Sequence, residues 1–238
     1  MNDAGLRCES VTRTFGDSQR GVFDVTLSIP KGTVYALLGG NGAGKTTLIN
    51  LCLGVLQPDR GAIFIAGFDI ATDATEAKRR LAYVPEVARL YAHLNAFENI
   101  RFFEELNGRR VSDGEVEDAL SRLSFPPAAM RRPCGIYSKG MRQKVVIAMG
   151  LVKSAGLFLL DEPSSGLDPA SSRQLVRIIK GLRDDGRTVL ISTHESHNIC
   201  EYTDRVGILR EGRLVTDAAS STLDTRTIDD LTASETTA

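Results

Sequence analysis

The stretch Gly39-Gly40-Asn41-Gly42-Ala43-Gly44-Lys45-Thr46 matches the pattern G-x-x-x-x-G-K-[ST] at every position. Residues 33–38, just before it, form a short apolar run typical of a buried strand, and residues 47–53, just after it, are typical of a helix. A strand, a glycine-rich loop and a helix in this order are the setting in which the pattern binds phosphate. The alternative is a glycine-rich turn with a coincidental lysine, and both flanking elements argue against it. The chain is therefore predicted to bind a nucleoside triphosphate.

Each residue type in this loop has a chemical reason. Glycines let the backbone turn tightly, so that N–H groups from Gly42 to Thr47 can point at phosphate oxygens. The start of the following helix adds the positive end of its dipole. Lys45 supplies a mobile charge for the β and γ phosphates, and the Thr46 hydroxyl can bind Mg²⁺. The predicted ATP contacts of the loop are Gly39, Asn41, Gly42, Ala43, Gly44, Lys45, Thr46 and Thr47.

The composition excludes several classes of protein. With 238 residues, of which 42% are hydrophobic and 25% charged, the chain can bury a sizeable core as a globular protein. A net charge of −1 argues against a protein that holds nucleic acid by neutralising its phosphates. No apolar run reaches about 18 residues and no signal peptide is visible, so we expect a cytoplasmic protein. The four cysteines are widely spaced and predict neither a disulfide framework nor a zinc site.

Alternating strand and helix patterns predict a parallel sheet. Strand patterns at 62–66, 157–160 and 188–191 alternate with helical patterns at 74–81 and 170–184. Before them, residues 6–38 contain short strands separated by turns, including Gly16-Asp17-Ser18 and Pro30-Lys31-Gly32. From about 86 to 154 the pattern is mainly helical, with candidate helices at 95–106, 113–123 and 139–152.

The end of the chain is predicted to hold one hairpin and a tail. Residues 205–209 and 213–216 flank Glu211-Gly212 and are typical of a β-hairpin. From Asp217 onward the chain is rich in serine, threonine and aspartate and poor in large apolar residues. We therefore expect a polar, flexible tail over 217–238, with at most one helical turn near Ile228.

Two acidic residues follow the strand predicted at 157–160. Parallel strands end at the edge of the sheet where the glycine-rich loop also opens, so Asp161 and Glu162 should lie beside bound phosphate. Asp161 is then placed to hold Mg²⁺, and Glu162 to polarise an attacking water. The alternative is a strand end with two solvated acids.

His194 follows the strand predicted at 188–191, where an imidazole can donate to the γ phosphate or steady the attacking water. The alternative for a single histidine is a structural or surface position. The stretch 194–198 does not complete the zinc pattern H-E-x-x-H, because its last residue is Asn198. The candidate catalytic residues are therefore Lys45, Glu162 and His194, with no zinc.

A second anion-binding helix start is predicted at residues 137–141. Ser138 is a good N-cap, and Gly140 allows a phosphate to approach closely. The chain has one phosphate loop, so a second phosphate-binding helix makes sense if it serves a different nucleotide. With these motifs in this order, residues 5–216 resemble the nucleotide-binding subunits of the ATP-binding cassette (ABC) transporter family.

The resemblance implies an α/β fold in which a RecA-like P-loop core carries an antiparallel β subdomain. A helical subdomain would be inserted at about 86–154, within an ATPase domain of residues 1–216. Two such subunits would dimerise around two ATP molecules and hydrolyse them with Mg²⁺, as a homodimer or with a different cassette subunit. The dimer would drive a separate transmembrane permease from the inner face of the cell membrane, and the Ser-Lys-Gly-Met variant favours an exporter.

The resemblance also implies roles for individual residues. The signature that contacts phosphate on a second subunit would be Ser138, Lys139, Gly140 and Met141. The D-loop at the dimer interface would contain Ser165, Gly166, Leu167 and Asp168. His194 would be the switch histidine. Phe15 would stack on adenine with Val22 nearby, and the alternative for Phe15 is ordinary core packing.

Glu86 departs from the family pattern. Members usually have a glutamine after the strand that here contains Tyr83-Val84-Pro85, where its side-chain oxygen touches Mg²⁺ and the attacking water. A carboxylate can still bind the metal, so Glu86 joins Thr46 and Asp161 as an expected Mg²⁺ ligand. Its negative charge beside Glu162 could slow hydrolysis. The alternative is a side chain that turns to solvent.

The segment after Glu86 is apolar and aromatic. By resemblance it forms part of a groove that receives a helix of the permease. Helical spacing assigns one group to the core, namely Phe97, Ile100 and Phe103. The candidates for the groove are Leu90, Tyr91 and Phe102.

Two other functions fit the phosphate loop but not the rest of the sequence. A soluble cassette ATPase of DNA repair or translation resembles chains with a coiled-coil insertion, zinc modules or a second cassette, and this sequence contains none of them. A small-molecule kinase built on a phosphate loop would leave the Ser138 segment without a purpose.

Overall fold

A computed structural model describes residues 4–16 and 20–232 of the chain. Within the predicted turn Gly16-Asp17-Ser18, Asp17 and Ser18 lie outside the described residues. Four strands form an antiparallel sheet: β1 (Ala4–Thr14), β2 (Gly21–Pro30), β4 (Arg60–Ile65) and β5 (Phe68–Asp69). Their order in space is β2-β1-β4-β5, so β1 pairs with a strand on each side.

Six strands form the second sheet: β3 (Val34–Leu38), β6 (Leu81–Val84), β7 (Leu157–Asp161), β8 (Thr188–Thr193), β9 (Arg205–Arg210) and β10 (Arg213–Ala219). The order is β10-β9-β3-β8-β7-β6, with the pair β9–β10 antiparallel and the other pairs parallel. β3 and β8 are buried along their whole length. Burial on both faces explains why the sequence shows continuous apolar runs here instead of alternation.

Seven α-helices lie in the described part of the chain: α1 (Lys45–Cys52), α2 (Ala74–Arg79), α3 (Ala96–Leu106), α4 (Asp113–Arg122), α5 (Lys139–Val152), α6 (Pro169–Asp184) and α7 (Thr225–Thr232). Polar caps fix several starts; Asn95 with Glu98 and Ser112 with Glu115 form capping boxes. The helix predicted at 74–81 stops at Arg79, because Leu81 begins the buried strand β6. None of these helices has the length and apolarity that crossing a bilayer requires.

The six-stranded sheet separates two hydrophobic cores. Alternate residues of β7 point to opposite faces: Leu157 and Leu159 join the core under the antiparallel sheet and α1, whereas Phe158 and Leu160 join the core under α3 to α6. α3, α4 and α5 all lie between β6 and β7 in the sequence. The loop after β3 and the carboxyl ends of β7 and β8 therefore meet at one edge of the sheet, because these strands are parallel.

The structure corrects the prediction of a tail that begins at Asp217. β10 continues to Ala219, a short 3₁₀ turn follows, and α7 has eight residues where one turn was predicted. Ile228 is fully buried in a small core with Ile199, Val206 and Ile208. A polar segment can be ordered in this way when one apolar side chain per turn reaches a preformed pocket, which its composition alone does not reveal. Residues 233–238 of the predicted tail lie outside the described residues.

Candidate functional site

The glycine-rich loop joins β3 to α1 and takes its shape from the backbone. Gly42 and Gly44 have φ angles of 81° and 104°, in the left-handed region that favours glycine. Because the N-cap of α1 is Gly44, no side chain caps the first N–H groups of that helix. These donors, at the positive end of the helix dipole, are suited to bind an anion.

A hairpin turn supports this loop from outside, which the sequence did not predict. The backbone N–H of Gly212 donates to the carbonyl of Ala43 at 2.9 Å, and the N–H of Phe23 donates to the carbonyl of Gly212 at 2.8 Å. The Glu211-Gly212 turn thus connects the loop to β2. No local signal could reveal this contact, since the three segments are distant in the sequence.

Lys45 is folded against the loop, with its side chain only 8% exposed. Its Nζ donates to the carbonyls of Gly39 at 2.5 Å and Gly40 at 3.3 Å. The same Nζ forms an ion pair with Glu162 Oε1 at 3.3 Å. The ammonium group therefore lies between the phosphate loop and the acid that is predicted to polarise water.

Glu162 connects Lys45 to His194, because its Oε2 lies 2.9 Å from His194 Nδ1. Its φ angle is 44°, and its N–H donates to the carbonyl of Ser192 at 3.0 Å. A non-glycine residue in the left-handed region is uncommon and strained, so the neighbouring strand must hold it there. The structure thus brings the three candidate catalytic residues into one cluster.

Two hydroxyl groups hold Asp161. Ser192 Oγ donates to its Oδ1 at 2.5 Å, and the Tyr83 hydroxyl donates to its Oδ2 at 3.3 Å. Burial and the neighbouring Asp161 charge raise the pKa of Tyr83 to about 12, so this hydroxyl remains a donor at neutral pH. The sequence analysis missed both partners. The only available signal was a serine two residues before His194 at the end of an apolar strand.

The start of α5 is built differently from the start of α1. Ser138 is its N-cap, and the serine Oγ accepts a hydrogen bond from the Met141 N–H at 3.2 Å. Ser138 is exposed, whereas Gly140 and Met141 are half-buried. Two side chains of this helix contact the loop after β7: Lys139 Nζ donates to the carbonyl of Ser165 at 2.5 Å, and Gln143 Nε2 donates to the carbonyl of Pro163 at 2.9 Å.

The loop predicted to be the D-loop, residues 164–168, connects the end of β7 to α6. Asp168 caps α6 by accepting from the N–H groups of Ala170 and Ser171, each at 2.9 Å. The hydrogen bonds from Ser171, first from its backbone, hold the pKa of Asp168 below its usual value. Leu167 packs against the helical core, and Gly166 is exposed.

A model of the ABC transporter family matches residues 22–165 of the chain, more than half of its length. The chain belongs to the ABC transporter family. It is an ATP-binding subunit, and the ATPase domain of this family hydrolyses ATP. The RecA-like fold with its antiparallel β subdomain, predicted from the sequence, is confirmed.

Relatives of known name and structure resemble this ABC subunit over most of its length. It is 35% identical over 210 residues to the ABC transporter ATP-binding protein NatA of Bacillus subtilis, which covers 86% of this chain and 85% of NatA. It is 36% identical over 199 residues to the SkfA peptide export ATP-binding protein SkfE of the same organism, 83% and 82% of the two chains. The structure of CbiO1 from Clostridium perfringens, part of the transporter complex CbiONQ, superposes with a TM-score of 0.83 at 26% identity, over 92% and 90% of the chains.

Phe15 and Val22, the predicted adenine contacts of the ABC subunit, differ from each other in exposure to solvent. Phe15 is 39% exposed, and the Arg13 guanidinium lies 5.5 Å from its ring centroid. Val22 is fully buried in the core beneath the antiparallel sheet. The ring of Phe15 therefore keeps surface that a base can contact. Val22 is buried but lies beside the glycine-rich loop, since a Cβ added at Gly44 would be 3.1 Å from Val22 Cγ1. Its place near the adenine stays a prediction.

Glu86 lies beside the D-loop. Its side chain is exposed, and Oε1 accepts a hydrogen bond from Ser165 Oγ at 3.1 Å. The sequence analysis expected Glu86 either to bind the metal or to face solvent. The structure shows a third arrangement, in which the carboxylate contacts Ser165.

The aromatic segment after Glu86 divides between core and surface. Phe97 and Ile100 are buried, as predicted. The prediction that Phe103 belongs to the core is wrong. It is half-buried in a cluster with Tyr91 and Phe102, at ring-centroid distances of 6.1 Å and 5.5 Å. The third inward position of α3 is Glu104, because the helical repeat of 3.6 residues favours i+7 over i+6 from Phe97. Burial raises the pKa of the Glu104 carboxyl.

Proposed function

We propose that this subunit is an Mg²⁺-dependent ATPase that dimerises around two ATP molecules and drives a separate membrane permease as an exporter. The observation that supports it most strongly is the cluster of Lys45, Glu162 and His194 at the edge of the sheet. A phosphate-binding cation, a carboxylate and an imidazole in contact can together bind the γ phosphate and activate a water for phosphoryl transfer.

The residues present fit a magnesium ion. The Thr46 hydroxyl and the Asp161 carboxylate supply oxygen donors, which Mg²⁺ prefers, and Asp161 is oriented by Ser192 and Tyr83. A bound Mg²⁺ would neutralise charge on the β and γ phosphates. Of the three expected ligands we retain Thr46 and Asp161, and Glu86 is considered separately below.

The chain's own residues account for the other steps. The N–H groups at the start of α1 and the Lys45 ammonium bind the β and γ phosphates. The Glu162 carboxylate accepts the proton of the attacking water, and His194 orients that water or donates to the γ phosphate. Phe15 stacks on the adenine.

The start of α5 contributes to a second nucleotide. Ser138 contacts its own helix, and the neighbouring Lys139 contacts the D-loop. Neither of these described contacts brings a carboxylate or an imidazole, the groups needed for catalysis, to this helix start. Signature residues 138–141 and D-loop residues 165–168 therefore complete the site of a second subunit in the closed dimer. Either an identical chain or a different cassette subunit could provide the partner.

Export by a permease is supported by two features. SkfE, which is 36% identical, is named as a peptide export protein. The cluster of Tyr91, Phe102 and Phe103, with Tyr91 44% exposed, offers an aromatic surface on which a helix of the permease can dock. Tyr91→Ala should therefore abolish co-purification with the permease while ATP binding is unchanged. If the variant loses both ATP binding and co-purification, the cluster instead stabilises the fold of the ATPase subunit itself.

The dimer is tested with the variant Glu162→Gln, which removes the base but keeps the shape of the site. Static light scattering should detect a stable dimer with Mg-ATP and a monomer without nucleotide. A protein that dimerises equally well without nucleotide would contradict the proposal. A protein that stays monomeric at every ATP concentration would exclude the homodimer and leave a different cassette subunit, or the permease, as the missing partner.

The contribution of α5 is tested by adding Ser138→Arg to Glu162→Gln. This double variant should bind ATP but not dimerise, because a bulky side chain fills the helix start. The matched control is Ser112→Arg in the same background. Ser112 is also an exposed serine N-cap, so it reports the loss of a cap without a change at the signature. Equal loss of dimer in both variants would argue against the assignment.

A further inference from the structure

Two charged residues from distant parts of the chain meet at one serine of the D-loop. Ser165 Oγ donates to Glu86 Oε1 at 3.1 Å, and the Ser165 carbonyl accepts from Lys139 Nζ at 2.5 Å. Glu86 is 79 residues away from Ser165 in sequence, and Lys139 is 26 residues away. A single residue thus connects the segment after β6 to the first residue of α5.

The sheet explains why these segments meet. β6 and β7 are parallel neighbours with Val84 opposite Leu160, so the residues that follow them leave the sheet side by side. α5 then contributes two positions one turn apart, Lys139 and Gln143, whose side chains both bind carbonyls of the loop after β7. The loop after β7 is therefore hydrogen-bonded both to Glu86 and to α5.

The charges strengthen this arrangement. A hydroxyl that donates to a carboxylate, and an ammonium group that donates to a carbonyl, are charge-assisted hydrogen bonds, which are roughly twice as strong as neutral ones. A glutamine at position 86 could accept the same hydrogen bond, but more weakly. A carboxylate at this position therefore favours the contact with Ser165.

We propose that Glu86, Ser165 and Lys139 form a latch that fixes the D-loop to the start of α5, and that Glu86 acts as a positioning residue for this loop instead of a metal ligand. The latch lets Ser138 and residues 165–168 meet a second subunit as one preformed surface, so less conformational freedom is lost when the dimer closes. This consequence rests on the dimer proposed above.

Hydrogen exchange of the full chain without nucleotide tests the latch itself. The N–H groups of Ser165 and Leu167 bond within the loop, to the carbonyls of Glu162 and Ser164, and so report its opening. Glu86→Ala and Lys139→Met should each speed their exchange by about tenfold, the lower end of the effect of losing one charge-assisted hydrogen bond, because solvent reaches both bonds. Glu86→Gln should restore most of the protection, and amides of α4 should not change.

A double-mutant cycle identifies the partner of Glu86. Adding Glu86→Ala to Ser165→Ala should have no further effect on exchange, because the two residues act through one bond. If the effects of the two substitutions on the exchange rates add, the latch is overturned. It is also overturned if none of the variants changes the exchange rates at residues 164–168.

The role of Glu86 is decided by Mg-ATP binding and dimer formation. In the Glu162→Gln background, Glu86→Ala should raise the ATP concentration needed for dimer formation several-fold, while the affinity of the monomer for Mg-ATP stays the same. If Glu86→Ala weakens the affinity of the monomer for Mg-ATP but not for ATP without metal, Glu86 binds the metal and the inference is overturned. If the Glu162→Gln protein itself does not dimerise, the proposed homodimer fails, and hydrogen exchange still decides whether the latch exists.

Discussion

The starts of α1 and α5 are both proposed to bind phosphate, yet they are built in opposite ways. At α1 the N-cap is a left-handed glycine without a side chain, and Lys45, the first residue of the helix, belongs to the proposed catalytic cluster with Glu162 and His194. At α5 the N-cap is an exposed serine that caps its own helix, and its neighbour Lys139 contacts the D-loop. Among the described contacts, the start of α1 is next to a cation, a carboxylate and an imidazole, whereas the start of α5 has backbone donors and a bond to the D-loop. This difference suggests that hydrolysis belongs to α1, and that α5 acts on a nucleotide bound elsewhere.

The largest expected effect concerns the chemistry at α1. Glu162→Gln should lower the rate of ATP hydrolysis by about 10²- to 10⁴-fold, because a general base is removed while ATP binding is kept. Phosphate release under saturating Mg-ATP measures it, with Glu201→Gln, an exposed glutamate in a 3₁₀ turn, as the control. Activity within a few-fold of the wild type would remove Glu162 from the proposed mechanism.

The second prediction compares the two lysines that begin these helices. Lys45→Ala should weaken ATP binding to one chain by about 1.5–3 kcal/mol, or tenfold to a hundredfold in Kd, because a charge-assisted hydrogen bond to phosphate is lost. Lys139→Ala should leave the Kd of one chain nearly unchanged. Titration with a fluorescent ATP analogue measures both, and equal losses would mean that the two helix starts serve the same nucleotide.

The third prediction concerns stability at the two N-caps. Gly44→Ala should cost about 1–3 kcal/mol, because alanine is strained in the left-handed region. An added Cβ would also lie 3.0 Å from the carbonyl oxygen of Gly21. Ser138→Ala should cost only about 1 kcal/mol, the loss of one side-chain cap. Urea unfolding measures the loss of stability in both variants. A larger loss in Ser138→Ala than in Gly44→Ala would contradict the geometry described for α1.

The smallest effect is expected from pH at the D-loop. Because hydrogen bonds from Ser171 lower the pKa of Asp168, the ionised cap stabilises the fold above the usual aspartate pKa of about 3.9. This contribution is lost as the pH falls towards the lower pKa of the folded state. Asp168→Asn keeps a capping side chain but cannot titrate. Urea midpoints at about pH 7 and pH 3 should therefore differ less in this variant than in the wild type, and an equal change would exclude the cap as a source of acid sensitivity.

Local motifs made most elements predictable. The phosphate loop between β3 and α1, the acids that end β7 and the Ser138 cap of α5 each lie within a few residues of the signals that predict them. The errors arose where the outcome depended on packing. The pattern Phe97, Ile100, Phe103 fits a buried stripe, but α3 turns Glu104 inward and leaves Phe103 in the surface cluster. The segment from Asp217 is too polar to predict order, yet Ile228 fills a pocket made by β9 and its neighbours.

The sequence by itself determined the family, the order of strands and helices, and the residue types that can bind and hydrolyse ATP, because these depend on short-range backbone geometry and on chemistry within each motif. Only the tertiary structure decided which of those residues touch. The parallel pairing of β6, β7 and β8 brings Ser192 and Tyr83 to Asp161, and Glu86 to Ser165, across separations of 31, 78 and 79 residues. No local pattern encodes such contacts, since they arise when buried strands align and their polar ends leave the sheet at the same edge.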